Sequence, residues 1–301
     1  MFDQAYPTPR PLPLHQHTSY GAALALLGRQ VLHLDAPPGT MAIRRRLPGG
    51  APLTMLPRAY LTRGGFRDLA DSGALRGAVI VAPEHPAPYL AGFGAVPLMT
   101  PQWVAELALT DPDTMLAAMH QKWRNRLRHG LKQPLRITRR SMPEQADHWL
   151  FRAEDAMRHA RSYRGWPTGL TLAFVRANPG AAKLFTAHLG KHEAAAVLIL
   201  RHGATASYHI AQCSDAGRAY SAPAVLLWAA AEYLAGKGHQ RLDLGPIDTR
   251  NAPGLARFKL GSGAVARPLG GTWLWLPRLG RLLSPLAALD RRAMSPSDER
   301  V

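Results

Sequence analysis

Lys259 is the residue of this chain best placed for chemistry. It follows Phe258 and precedes Gly261 and Gly263 in the stretch Gly254-Leu-Ala-Arg-Phe-Lys-Leu-Gly261. Just upstream, Arg241-Leu-Asp-Leu-Gly245 reads as a short strand closing on Asp243 and Gly245. An ammonium beside a strand end can neutralise a phosphate or an oxyanion, or carry a proton during a transfer step. Asp243 can accept a proton from an attacking amine or fix a loop by accepting from backbone amides. The second role is favoured, because a carboxylate facing amides stays ionised and weakly basic. His209, beside Tyr208 on an earlier strand, has the ordinary pKa of a general base, although a lone strand histidine is more often structural. Regular alternation puts Ser207, His209, Ala211 and Cys213 on one face, with Tyr208, Ile210 and Gln212 on the other.

Other arrangements fail on spacing. Cys213 and His209 at i, i+4 along a strand stand about 13 Å apart, too far for a thiol–imidazole pair. His188 and His192 flank a Gly-centred turn, match no zinc signature and bring no further ligands. No metal and no cofactor is expected. One cysteine excludes an intramolecular disulfide framework and fits a reducing compartment. The first residues lack the apolar core of a signal peptide, and no apolar run is long enough to span a bilayer. A cytoplasmic location is expected.

The elements that must position these residues follow from periodicity and punctuation. At 301 residues, with 47% hydrophobic residues, the chain has the size of two packed domains. Residues 1–17 form a Pro-rich arm, and 18–30 a short helix. Residues 31–35, 40–47, 53–56 and 79–81 read as strands, with a helix over 66–74. A strand at 105–110 precedes Asp111-Pro-Asp, which opens a helix over 112–132 with Leu116, Met119, Trp123 and Leu127 as its buried stripe. A strand at 135–138 follows, then a helix over 143–161 with Trp149, Ala153, Ala156, Met157 and Ala160 on one side. The segment 167–178 is ambiguous between helix and loop. Residues 181–189, 194–201 and 204–213 form three antiparallel strands joined by turns. Ser221 caps a helix over 222–235 that starts with Pro223 and stops at Gly236 and Gly238. Strand 241–245, helix 254–260 and strand 271–276 complete the order.

The charge is lopsided, with 37 Lys plus Arg against 20 Asp plus Glu, a net +17. Such a field attracts nucleic acid, anionic lipid or phosphorylated substrates. Part of it concentrates in the helix 112–132, where Arg124, Arg128 and Lys132 repeat at i, i+4 and Lys122 precedes them by two residues. Like charges so placed repel unless an anion compensates them or water solvates the face. The tail beyond Pro277 alternates Leu with Arg and reads as a basic amphipathic helix, which admits a peripheral contact with an anionic membrane.

The capped helix, the Asp-Leu-Gly strand end and the Phe-Lys-x-Gly turn resemble the second domain of the FemAB-type aminoacyltransferases, a branch of the GNAT acyltransferase superfamily. The likeness spans residues 105–275 and is most specific over 226–263. It implies an α/β chain of two GNAT-like halves, each a twisted mixed sheet flanked by helices. The first half is expected over 18–133, ending in the basic helix as a linker, and the second over 134–277, with a basic tail over 278–301. The resemblance carries an acyl-donor role onto Phe258 and Lys259. It implies transfer of an aminoacyl group from aminoacyl-tRNA to an amine acceptor by direct aminolysis. Asp243 and His209 join Lys259 as candidate catalytic residues. Phe258, Tyr208, Gly245, Ser221 and Arg218 are candidates for binding donor or substrate, and Lys122, Arg124, Arg128 and Lys132 for holding RNA phosphates. GNAT enzymes that use acyl-CoA carry an Arg/Gln-x-x-Gly-x-Gly/Ala loop, which Cys213-Ser-Asp-Ala-Gly217-Arg218-Ala-Tyr-Ser-Ala222 does not match. Two alternatives remain: an acyl-CoA-dependent N-acyltransferase acting on an envelope sugar or lipid amine, and a non-catalytic RNA- or membrane-binding module.

Overall fold

The structure is a computed structural model that describes residues 11–35, 39–161, 163, 165–277, 279 and 294. Most of the Pro-rich arm and of the basic tail therefore lies outside the described residues. The elements run α1 (Thr18–Leu26), β1 (Gln30–Leu34), β2 (Thr40–Arg46), β3 (Pro52–Ala59), α2 (Arg63–Asp71), β4 (Ala78–Pro83), β5 (Val96–Met99) and β6 (Trp103–Ala108). Next come α3 (Pro112–Ala118), α4 (Gln121–Leu131), β7 (Leu135–Ser141), α5 (Trp149–Arg161), α6 (Thr168–Ala177), β8 (Ala182–Leu189), β9 (His192–His202) and β10 (Thr205–Cys213). The chain continues through α7 (Asp215–Ala219), α8 (Ala222–Ala235), β11 (Arg241–Ile247), α9 (Pro253–Gly261), β12 (Val265–Pro268) and β13 (Thr272–Trp275).

These strands form two mixed sheets, ordered β1-β2-β3-β4-β13-β5 and β12-β6-β11-β10-β9-β8-β7. Each contains one parallel pair, β3 with β4 and β10 with β11. A parallel pair needs a crossover, and α2 and α8 supply it. The two halves thus share one plan, as expected. Apolar faces meet in three cores. The second sheet packs on α4 and α8 through Trp123, Leu127, Val197, Leu227 and Leu242. The first sheet packs on α2 through Phe66, Leu69, Val79 and Trp273. A third core joins Leu24 and Met41 of the first half to Phe151, Phe174 and Leu184 of the second.

The halves are not divided at residue 134. Strand β6 lies inside the second sheet between β12 and β11, and α4 is packed into that sheet's core, so the basic helix belongs to the second half. Strand β13 returns to the first sheet between β4 and β5. The two sheets therefore exchange segments across the seam.

Three helical expectations change. The helix over 112–132 is two helices, because Met119 and His120 are extended. His120 caps α4 with its ring, and its amide donates to Gly261 O. The buried stripe survives this break. Helix α5 starts only at Trp149, turns Leu150 and Phe151 inward, and leaves Ala156 and Ala160 exposed. Ser221 does not cap α8 with its side chain: it sits at φ +56° in the left-handed region, and its hydroxyl pairs with His129 Nδ1 at 3.3 Å.

The seam carries a chain of buried charges. Arg58 donates to Glu84 through Nε (2.6 Å) and Nη2 (2.9 Å), and to Asp243 Oδ2 at 2.5 Å. Glu84 is fully buried and also pairs with Arg267, which reaches Glu106 at 2.7 Å. Arg241 closes the series on Glu106 at 3.4 Å. Arginines 58, 241 and 267 thus balance Glu84, Glu106 and Asp243 and join β3 and the end of β4 to β6, β11 and β12. Removing one partner from such a network leaves an unpaired buried charge. Glu84→Ala should therefore lower unfolding free energy by about 3–5 kcal/mol in urea titrations; a loss under about 1 kcal/mol, the scale of exposed pairs, would show that the network does not hold the seam.

Candidate active site

Directly above this network the halves enclose an open cavity of ≈ 330 Å³. The first half contributes His15, Arg58, Pro83 and Met99, and the second Trp166, Tyr208, His209, Asp243, Gly245 and Pro246. Two irregularities create it. Strands β10 and β11 pair in parallel only from Thr205 to Ser207 and from Arg241 to Asp243. Beyond that, β10 shifts register between Tyr208 and Ile210, and β11 between Asp243 and Gly245. Because His209 sits in the bulge, strict alternation fails, and Ser207, Tyr208 and His209 all line the cavity. Gly245 adopts φ +78°, open to glycine but strained for other residues, and its amide donates to Asp243 Oδ1 at 2.7 Å.

Arg58 is the residue whose placement the sequence did not disclose. It occupies a bulge between Pro57 and Ala59 at φ +47°, a strained conformation for a side-chain-bearing residue. From there it grips Asp243. Burial alone would raise the Asp243 pKa; the charge and hydrogen bond of Arg58, with the Gly245 amide, outweigh it and hold the carboxyl below its usual range. Asp243 is thus ionised, with each carboxylate oxygen engaged in a hydrogen bond.

Lys259 reaches back from α9 to donate to Pro246 O at 2.8 Å, with only 6% of the residue exposed. Burial pushes its ammonium down to about 8, against the opposing charge of Asp243. Gly245 leaves open the space beside it: a Cβ there would stand 3.8 Å from Nζ. Phe258 faces away from the cavity and packs on Trp123, whose indole donates to Phe258 O at 3.0 Å. The imidazoles are neutral at physiological pH. Burial, then the proximity of His15, pushes His209 down to about 3; burial and Arg58 push His15 down to about 4. His209 Nε2 pairs with Thr171 Oγ1 at 2.8 Å, whereas His15 Nδ1 has no hydrogen-bond partner among the described residues.

Lys259 and Phe258 are not among the residues that line the cavity, and the remaining candidates lie outside it as well. Arg218 pairs with Asp215 and donates to Cys213 O, within its own loop. Ser221 sits with that loop at the start of α8. Lys122, Arg128 and Lys132 are exposed on α4, and Arg124 is half-buried against the Leu116 and Ala117 carbonyls. The structure groups a different basic set: Lys122, Arg126, Arg257 and His120 line one open cavity of ≈ 620 Å³ between α4 and α9. Lys122 and Arg126 share a helix face at i, i+4, which the sequence displays, but Arg257 joins them only through the packing of α9. No group of three or more His, Cys, Asp or Glu that could hold a metal occurs among the described residues. Among them, too, no helix is long and apolar enough to cross a membrane.

A sequence profile of the acetyltransferase (GNAT) domain matches residues 108–260, just over half of the chain. The chain belongs to that family and is an acyltransferase by that membership. No curated protein matches it in sequence. Among solved structures, FemX superposes with a TM-score of 0.72 at 14% identity, covering 95% of this chain and 96% of FemX. The C-terminal domain of a putative lysylphosphatidylglycerol synthetase from Agrobacterium fabrum gives 0.54 at 15% identity, over 92% and 93% of the two chains. A conserved protein of unknown function from Bacteroides thetaiotaomicron gives 0.55 at 13%, over 86% and 89%. At these identities the likeness is one of fold, and with FemX it extends over nearly the whole chain.

Burial of Lys259 has a consequence for stability. Its folded pKa of about 8 lies below the ordinary 10.5, so between those values the unfolded chain holds the proton more tightly and the Lys259 contribution makes stability rise with pH. Lys259→Met should therefore melt at or above the wild-type Tm at pH 7, with the difference shrinking toward pH 10. A Tm several degrees lower at pH 7 would mean that the Pro246 hydrogen bond outweighs the cost of burying the charge.

Proposed function

We propose that this GNAT-family acyltransferase moves an aminoacyl group from the ester of an aminoacyl-tRNA to an amine acceptor at the seam between its halves. The observation that carries the reading is the desolvated Lys259 ammonium, held on Pro246 O where β10 and β11 part. The acceptor nitrogen attacks the acyl carbonyl, forming the C–N bond; the tetrahedral oxyanion collapses and expels the ribose oxygen, and the proton lost by the amine balances the one that oxygen gains. An ammonium in a site shielded from water stabilises that oxyanion or protonates the leaving oxygen. Arg58 and Asp243 act as positioning residues that keep the strand end and Gly245 in place. Neutral His15 and His209 can accept hydrogen bonds from the incoming amine, and His209 at a pKa of about 3 is too weak a base to activate it alone.

An ester donor is supported by the loop before α8. A pyrophosphate cradle needs free amides at a helix start. Here the amides of Gly217, Arg218, Tyr220 and Ser221 are spent on Ser214 Oγ, Ser214 O, Ala216 O and Arg218 O. Gly217 also packs so tightly that a Cβ would lie 2.4 Å from Ala194 O. The basic cavity of Lys122, Arg126 and Arg257 supplies cations for RNA phosphates instead. The family profile, that of an acetyltransferase domain, favours acyl-CoA as the second reading.

The donors are separated by incubating the protein with charged tRNA and, in parallel, with acyl-CoA, and following loss of the acyl group to added amines. Deacylation of the tRNA alone supports the proposal; consumption of acyl-CoA with tRNA untouched overturns it. Lys259→Ala should cost about 10²–10³ in kcat, the scale of losing one oxyanion donor, and wild-type-like turnover would remove Lys259 from the site. If Arg126 and Arg257 meet phosphates, the double change R126Q/R257Q should make the log–log salt dependence of tRNA binding shallower by about 1.4–1.8 units, at roughly 0.7–0.9 per contact. An unchanged slope would leave that cavity solvated and without a role in RNA binding.

A further inference from the structure

A second concentration of positive charge lies at the opposite end of the first sheet. Arg44, Arg45 and Arg46 of β2 and Arg76 beyond α2 line an open cavity of ≈ 240 Å³ completed by Gln30 and Pro52, with no carboxylate among its described lining residues. Arg44 donates to Ala74 O, and Arg46 to Gly50 O at 3.1 Å. These carbonyls orient the guanidinium groups without neutralising them. Burial, and then the charge of Arg76, push the Arg44 pKa below its ordinary value, which places Arg44 and Arg76 within reach of one another. Arginines gathered with no carboxylate among the described lining residues suit the oxygens of a phosphate.

The neighbouring space is of the opposite character. A cavity of ≈ 620 Å³ shares Pro52 and Arg76 with the first and, among the described residues, is otherwise lined by Leu75, Gly77, Leu276, Pro277 and Leu279. Leu279 stands 46% exposed at its edge. A cationic pocket opening onto an apolar one matches an anionic amphiphile, phosphate on the arginines and hydrocarbon beside them. The location separates it from the acyl-transfer cavity. Pro52 begins β3, and Arg58 lies six residues along it, about 20 Å away at strand rise.

We propose that this end of the first half docks on anionic phospholipid, with the lipid phosphates on Arg44, Arg45, Arg46 and Arg76 and acyl chain against Leu276 and Leu279. Electrostatic attraction and a modest apolar contact together give reversible attachment, which neither provides alone. The proposal is independent of which acyl donor the enzyme uses.

Co-sedimentation with vesicles tests it, comparing phosphatidylcholine with an equal mixture of phosphatidylcholine and phosphatidylglycerol. The wild type should bind only the mixture. R45Q/R76Q should weaken that binding about 30-fold, as expected for two basic residues lost near an anionic surface. R126Q/R257Q removes the same charge elsewhere and serves as the control; it should bind nearly as the wild type does. L279S should weaken binding at unchanged charge. Equal losses in both double variants would reduce the effect to the net charge of the protein and overturn the site. Binding unaffected by R45Q/R76Q would do the same. Competition by inorganic phosphate with vesicles ignored would assign the arginines to a soluble anion and overturn the lipid. Self-association seen by light scattering and abolished by L279S would give the apolar cavity to a second copy and likewise refute the proposal.

Discussion

The contact on which the rest depends is the grip of Arg58 on Asp243. Asp243 lies on β11, at the last residue that pairs with β10 in the second sheet, and Arg58 stands on the first, 185 residues away in sequence. Burying either charge alone would be costly, so each is tolerated only because the other is there. Glu84, Arg267, Glu106 and Arg241 extend the same logic along the seam. The result fixes how the halves face each other at the point where the strands of the second sheet part. Arg58 accepts a strained backbone to reach that point, and the surrounding pairs hold it there.

That constraint sets the chemistry of the cavity. Arg58 and the Gly245 amide each occupy one oxygen of Asp243 and hold its carboxyl below the usual range, so it stays ionised. Lys259, on α9 and twelve residues beyond the end of the same strand, is a buried cation beside the cavity whose pKa burial lowers to about 8. A group in that condition can both stabilise developing negative charge and exchange a proton. The neutral histidines on the other walls offer hydrogen bonds without adding charge. The lining of the cavity is therefore electrostatically simple: one locked ion pair, Arg58 with Asp243, among otherwise uncharged residues, with the Lys259 ammonium beside it on Pro246 O.

The excess of positive charge is not evenly spread. It gathers between α4 and α9 in the second half and along β2 in the first, on surfaces distinct from the seam. Within the seam, arginines and carboxylates balance. Segment exchange reinforces the joint: β6, which precedes α3 and α4, is built into the second sheet, and β13 returns to the first, so the halves cannot separate without breaking sheet pairing.

The sequence by itself determined the elements and the family. Short-range signals were enough for α8, from Pro223 to Gly236, for the three strands ahead of it, and for the strand end at Asp243–Gly245 followed by Phe258–Lys259. Each rests on periodicity or on residues within a turn of one another. Sequence also singled out Asp243, Gly245, Tyr208 and His209, which line the cavity, and Lys259, which lies beside it. It did not reveal Arg58, Glu84, His15 or Trp166, because no local pattern marks a residue whose role comes from a partner on another sheet. It assigned Ser221 a cap that its left-handed backbone abandons, drew one helix where His120 breaks the chain to meet Gly261, and grouped Arg124 with Arg128 and Lys132 although packing unites Lys122 and Arg126 with Arg257. The bulge at His209 defeated alternation, which is a rule about regular strands. Tertiary structure decided which half β6 and β13 join and which charges meet at the seam, since burial and ion pairing between distant segments outweigh local preference once the sheets close on each other.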